Sequence, residues 1–321
     1  MDRDALHDRI RRLLFASPAL ARAFSRGDFR SVFRGRGIEF DSLREYTLDD
    51  DARLMDFRAT VRLGRPFVRT FREDRSLTVF LLIDVSASMD QGSGELSKLD
   101  MAVLVSSLVA YAAQFRGLPV GCLLFAGKVL GHLAPRRGKA HALAVAEAAA
   151  AVAEGRRPGA GFERGSGGRH GGAGSGGGGL AGAGPDRSGS DLAGALKAAS
   201  LALKRRSLVL LLSDFRSAHW ARPLGELARL HDLVAVRIGD RSDTELPRAG
   251  AFHTVDPETG RTAWLPLGSR TFRTRWRERG EAERRDCLEL CSDCRVPVLE
   301  IDSADDPARR LLEFFERRRK T

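Results

Sequence analysis

Cysteine is scarce in this chain, with four in 321 residues, and so are the larger aromatics, with three Trp and two Tyr. Four thiols cannot build the dense disulfide framework of small secreted domains, and their scarcity fits a reducing compartment. The densest basic runs, Lys204-Arg205-Arg206 and Arg317-Arg318-Arg319-Lys320, lack interleaved aromatics. Single-stranded nucleic acid is usually gripped by such stacking side chains beside a positive groove. No uninterrupted apolar run approaches the ~20 residues of a spanning helix; the richest stretch, Ala140 to Ala153, is mostly Ala and carries His141 and Glu147. Asp2, Asp4 and Asp8 precede the first apolar stretch, and Arg11, Arg12 and Arg22 leave no uninterrupted signal-peptide core. A cytoplasmic, soluble protein is the expectation. Also missing are the Gly-x-x-x-x-Gly-Lys-Ser/Thr phosphate loop and the Gly-x-Ser-x-Gly nucleophile elbow, so neither ATPase nor serine-hydrolase chemistry is assigned.

What is present is a composition able to bury a core, 43% hydrophobic, with a formal net charge of +11. The excess is mostly Arg and is spread along the chain. It reads as a solvated surface, or one suited to an acidic partner. Apolar spacing at Leu6, Ile10, Leu13, Leu14 and Leu20 predicts an amphipathic helix over residues 4–24, interrupted by Pro18. Residues 29–74 read as an irregular or β-rich lead-in. Next, Leu77 to Ile83 is almost continuously apolar and β-prone, as in a strand buried on both faces of a parallel sheet. Helical spacing over 98–116, a strand over 120–125, a helix over 140–154, a helix over 191–203 and a strand over 207–212 follow. Then come a helix near 220–230, a strand over 233–238, a charged helix near 274–294, a strand over 296–301 and a last helix from Pro307. The alternation predicts a doubly wound, mostly parallel α/β sheet with an N-terminal irregular or β extension. The expected domains are 1–74 and 75–321, the second interrupted by a Gly-rich insertion at 155–189 that holds roughly half of the 34 Gly.

The residues that carry chemistry follow the first buried strand: Asp84-Val85-Ser86-Ala87-Ser88. Ligands of open α/β sheets bind beyond the carboxyl ends of strands, where strand order reverses, and this loop stands at such an end. Oxygens at alternate positions can converge on one hard cation, and hydroxyls, waters and one or two carboxylates suit octahedral Mg²⁺, with Mn²⁺ as substitute. Ser190, before a helix, and Asp214, after a strand, can complete the set.

These residues resemble the metal-ion-dependent adhesion site of the von Willebrand factor A fold. The resemblance implies that Ser86, Ser88 and Ser190 are hydroxyl ligands, with Asp84 and Asp214 acting directly or through water. Ser190 stands where that family usually has Thr. A wider resemblance covers most of the chain. Gly37-Ile38-Glu39-Phe40, Leu43-Arg44-Glu45-Tyr46, Asp50 to Thr60, Val68-Arg69-Thr70-Phe71, Leu246 to Gly250 and Asp256 to Gly260 are similar to the pattern of the bacterial domain of unknown function 58. Departures are Asp49 for the common Gly and Phe57 for the common Trp; the membrane helices that precede this region in many members are not seen. What the resemblance implies is a MoxR-associated protein working with a MoxR-type AAA+ ATPase, or with another protein that presents an acidic residue. The expected role is metal-dependent protein–protein interaction as adaptor or cochaperone, without enzymatic activity. A metal-dependent hydrolase is the alternative, and nucleic-acid binding a weaker one.

Three other patterns are read as structural. Arg44, Glu45, Arg53, Asp56 and Arg58 are expected to form ion pairs that pin the lead-in. Asp256 and Glu258 flank a turn between hairpin strands. Cys287, Cys291 and Cys294 have the CxxxCxxC spacing of a radical S-adenosylmethionine site but share one face of a helix, and are read as packing cysteines.

Overall fold

In the computed structural model, residues 17–25, 38–47, 55–73, 77–154, 162–164, 187, 189–248, 250–255 and 262–318 are described. Most of the Gly-rich stretch, the turn at 256–260, residues 4–16 of the first expected helix and Arg53 lie outside them. The chain forms two compact units, residues 29–76 and the remainder.

The smaller unit is a two-stranded antiparallel ribbon of β1 (Ile38–Glu45) and β2 (Phe67–Glu73), with a short helix α1 (Phe57–Leu63) in the connection. Asp56 caps that helix: its carboxylate accepts from the backbone N–H groups of Arg58 and Ala59, both at 3.0 Å. Gly64 closes the helix in the left-handed region, at φ 70°, where Gly carries no Cβ penalty. Asp56 thus orders a helix start, and Glu45 pairs with exposed Arg65 at 3.0 Å.

The larger unit is built on a seven-stranded sheet. Its strands are β3 (Thr78–Asp84), β4 (Val120–Phe125), β5 (Val129–Arg136), β6 (Glu163–Arg164), β7 (Ser207–Ser213), β8 (Asp232–Gly239) and β11 (Val298–Asp302). They lie in the order β11-β8-β7-β3-β4-β5-β6. The first five in that order run parallel, and β5 and β6 complete one edge antiparallel. Strand β5 was not anticipated. Its sequence VLGHLAPR mixes apolar and polar residues without a clean period, because it lies near the edge and is only partly buried. The central strands read as apolar runs because both faces are covered: every residue of β4 and β7 is buried.

The helices of this unit are α2 (Ser17–Ser25), α3 (Lys98–Phe115), α4 (Lys139–Ala153), α5 (Leu192–Ala202), α6 (Ala221–Leu230), α7 (Arg270–Asp293) and α8 (Pro307–Arg318). One face of the sheet offers Phe80, Leu82, Val209 and Leu211, all fully buried, to a core shared with Leu192 and Leu196 of α5, Leu224 of α6 and Cys287 of α7. The alternate residues of β3, Val79, Leu81 and Ile83, are equally buried on the side where α3 packs, itself against α2, α4 and α8. Helices on both faces make the sheet a doubly wound α/β core.

Two expectations change here. The helix α2 belongs with residues 77–321 rather than with the lead-in, since it packs on α3 and α8. Pro18 stands in the first described turn of α2, where its missing N–H costs no hydrogen bond, and the part of the expected helix before Ser17 lies outside the described residues. In addition, α3 is long and apolar enough to cross a membrane by length and composition, although most of it is buried inside this unit. Its residues are mostly apolar because it packs on several sides. The hairpin β9 (Ala251–Val255) and β10 (Thr262–Pro266) pairs antiparallel, so the strands expected around Asp256 and Glu258 are there.

Candidate metal centre

The chain runs from β3 outward to β4 and β5, then returns to the other side of β3 to enter β7. The carboxyl ends of β3 and β7 are therefore the topological switch point of the sheet, where ligands of open α/β folds bind. Asp84 is the last residue of β3, and Asp214 follows the last residue of β7.

All five expected ligands gather at this end. Asp84 and Ser86 are fully buried, and Ser88 and Asp214 are each 5% exposed. The Ser86 and Ser88 hydroxyls lie 3.1 Å apart. The Ser86 backbone N–H donates to Asp84 Oδ1 at 2.9 Å, which folds the loop back over the strand end. On Asp84 Oδ2, Ser190 Oγ donates at 2.9 Å and Ser213 Oγ at 2.7 Å. The Asp191 carboxylate, which accepts from Gly194 N–H at 2.8 Å, caps α5 and fixes the residue before it.

Four further groups complete the site. Ser213 joins Ser190 as a hydroxyl donor to Asp84. Arg187 donates through Nε to Val85 O at 2.5 Å, and through Nη2 to Ser86 O at 3.2 Å and Asp90 at 2.8 Å, so it ties the loop after β3 to the segment that delivers Ser190. Lys98, a fully buried side chain, sits at the start of α3 and reaches Asp243 at 2.7 Å and Asp214 at 3.5 Å. Arg216 lies 3.0 Å from Asp243 and 4.0 Å from Asp214. A lone Lys heading an apolar helix was a signal available in the sequence. Its partners were not, because they stand 116 and 145 residues away. Asp243 is held in turn by a turn against α7: a Cβ on Gly280 would come within 2.2 Å of the Asp243 carbonyl oxygen, so only Gly lets that helix approach.

The charges are unevenly matched. Lys98 and Arg216 both engage Asp214 and Asp243, and among the described residues no salt bridge reaches Asp84. Burial, then the neighbouring Asp214 charge, push the Asp84 carboxyl up to about 6, against the lowering effect of its hydrogen bonds from Ser86 and Ser213. The donors around Asp84 are all oxygen, which suits a hard cation and not a thiophilic one. Among the described residues no group of three or more His, Cys, Asp or Glu is placed to hold a metal. A cation here depends on hydroxyl oxygens beside two carboxylates. The residues fit Mg²⁺ on these grounds: an unneutralised buried carboxylate is what a cation compensates, and the hydroxyls can turn their lone pairs toward it.

The cysteines belong elsewhere. Cys287 and Cys291 are buried in the core beneath α7, and Cys294 Sγ donates to Ala221 O at 3.4 Å. All four thiols are free.

Two mycobacterial relatives place the chain among known sequences. An uncharacterized protein of Mycobacterium tuberculosis (strain H37Rv) is 26% identical over 295 residues, which are 92% of this chain and 84% of the relative. An uncharacterized protein of Mycobacterium avium is 30% identical over 131 residues, 40% of this chain and 77% of the relative. Among solved structures, the pilus adhesin SpaC of Lactobacillus rhamnosus GG aligns with a TM-score of 0.41 at 11% identity, over 78% of this chain and 31% of that one. Proximal thread matrix protein 1 of the mussel byssus aligns with a TM-score of 0.33 at 14% identity, over 51% of this chain and 38% of that one. These likenesses are too distant to carry an argument. The family model described as protein of unknown function DUF58 matches residues 42–286, and the chain belongs to that family.

Proposed function

We propose that this protein is a metal-dependent protein-interaction module whose centre is Asp84, Ser86, Ser88, Ser190 and Asp214. The observation that carries the reading is Asp84 itself, a fully buried carboxylate at the switch point, ringed by hydroxyls and outside the ion pairs of Lys98 and Arg216. A bound Mg²⁺ would neutralise it and present a directional, charged position to a carboxylate of a partner. The residues of the chain do the rest. Asp84 supplies the buried charge, Ser86, Ser88 and Ser190 supply neutral oxygens, and Arg187 fixes the loop that carries two of them. Lys98 holds Asp214 in place from below.

The finer fold assignment in this proposal is the von Willebrand factor A type. It is supported by the strand order, with an antiparallel edge beyond β4, and by the spacing of Asp84, Ser86, Ser88, Ser190 and Asp214. The partner we infer is a MoxR-type AAA+ ATPase in the cytoplasm, with this chain as adaptor or cochaperone; its support is the sequence resemblance alone. The test is capture of that ATPase by the tagged full-length chain in 5 mM Mg²⁺, a concentration chosen as roughly saturating for a weak Mg²⁺ site. Capture should be lost in EDTA and with Asp84→Ala. Capture unchanged by both treatments contradicts the mechanism.

A pH dependence follows from the raised Asp84 carboxyl. Its value of about 6 lies above the ordinary 3.8, so between the two the folded chain holds a proton that the unfolded chain has released. Stability of the metal-free protein should therefore fall as pH rises through that window. Mg²⁺ must displace the same proton. Its affinity should be flat above about pH 7 and weaken by up to tenfold per pH unit below about 6. Titration calorimetry at several pH values checks this, and an affinity constant from pH 7 to 5 would contradict it.

A further inference from the structure

We propose that the cavity between α5 and α6, beside the metal centre, is a docking site for an acidic segment of the partner protein, with Lys197 and Arg222 receiving its carboxylates. The inference rests on the metal-centre reading for the first contact and adds where the bound segment continues. The cavity measures about 630 Å³, room for several side chains. Its walls include the small or apolar Ala193, Ala221 and Pro223, and its charged rim carries Lys197, Arg222 and Glu226.

Its position ties it to the centre. Ala193 stands three residues after Ser190, and His219, on the same wall, stands five after Asp214. Ser217 Oγ donates to Ser190 O at 2.8 Å, so the two loops that supply Ser190 and Asp214 are joined just before they enter the cavity walls. A chain that places one carboxylate at the metal centre passes next along this wall. The charge balance selects its chemistry. Lys197 has no ion-pair partner among the described residues. Arg222 meets Glu226 at 3.0 Å, but its side chain is 90% exposed, and such i,i+4 surface pairs are weak enough for an incoming carboxylate to displace. An apolar helix would find cations at the rim, whereas an acidic strand finds two counter-charges and a small-residue floor.

The experiment uses the full chain and fluorescent octaglutamate as probe, read by anisotropy in Mg²⁺ and in EDTA. Wild type should bind octaglutamate in Mg²⁺. The Lys197→Glu/Arg222→Glu variant should bind it at least tenfold more weakly while keeping wild-type Mg²⁺ affinity. A control with the same charge change on α7 and α8, Arg277→Glu/Arg309→Glu, should lose less than threefold. Equal binding by wild type and the cavity variant overturns the inference, as does an equal loss in the control. Octaglutamine binding as tightly as octaglutamate, or an oligonucleotide displacing it through the same residues, also overturns it. Wild type that binds no Mg²⁺ refutes the metal-centre reading separately, because the two cavity residues are then still judged by their effect in EDTA.

Discussion

Lys98→Ala should lower the unfolding free energy by about 3–5 kcal/mol, the usual cost of removing one partner from a buried ion pair. The ammonium is fully buried and lies 2.7 Å from Asp243 and 3.5 Å from Asp214, whose side chains are 8% and 2% exposed. Without it, two carboxylates stay out of water with only Arg216, which is 28% exposed, to offset them. The stem matters as well: a fully buried Lys fills the base of α3, and truncation leaves a cavity. Adding Asp243→Asn to Lys98→Met should recover part of the loss, since one of the two carboxylates is then neutral and Arg216 remains for Asp214. Urea unfolding of the four proteins checks this. A loss below about 1 kcal/mol for Lys98→Ala would place the charge in a wetter setting than its burial indicates.

Asp84→Asn should reverse its effect with metal. In EDTA at pH 7.5 the wild-type carboxylate is ionised although burial and Asp214 hold its carboxyl at about 6. The ionised group then opposes folding by something on the order of 1–3 kcal/mol. Asn removes that charge and keeps the shape; its amide can donate to Ser190 and Ser213, whose hydroxyls turn to accept. The variant should be more stable than wild type in EDTA. Saturating Mg²⁺ should stabilise wild type by about 3 kcal/mol at 100 times the dissociation constant and leave Asp84→Asn unmoved. The order of melting temperatures therefore inverts between the two buffers. Such a trade of stability for function is what a binding site imposes on a fold. A variant less stable than wild type in both buffers, with an unchanged Mg²⁺ response, would show Asp84 to be only a loop anchor.

Much of the sheet was legible because parallel strands buried on both faces leave an unmistakable sequence. Leu77 to Ile83, Val120 to Phe125 and Ser207 to Leu212 are apolar runs bounded by polar residues, and each forms a strand. The helix over 191–203 was legible for a different reason, since Asp191 stands as a cap before an apolar-spaced segment. The antiparallel edge was not. Strand β5 and the two-residue β6 carry no periodic signal, since their pairing comes from β4 and not from their own pattern.

At the site, the five oxygen-bearing residues could be named from local context, as each follows a strand or precedes a helix. The ion pairs around them could not, because Lys98, Asp214 and Asp243 come from three distant segments that only the folded sheet brings together. Ser213 was passed over beside the more obvious Asp214. The unbroken burial of a strand covered on both faces gives no hint that its last hydroxyl donates to Asp84.

The most direct test of the central claim is calorimetric titration of the chelator-stripped full-length chain with Mg²⁺ at pH 7.5, beside Asp84→Ala. Saturable binding of one Mg²⁺ per chain by wild type, absent in the variant, is the predicted result. No binding by wild type, or binding that Asp84→Ala leaves unchanged, would contradict the assignment of this centre as a metal site.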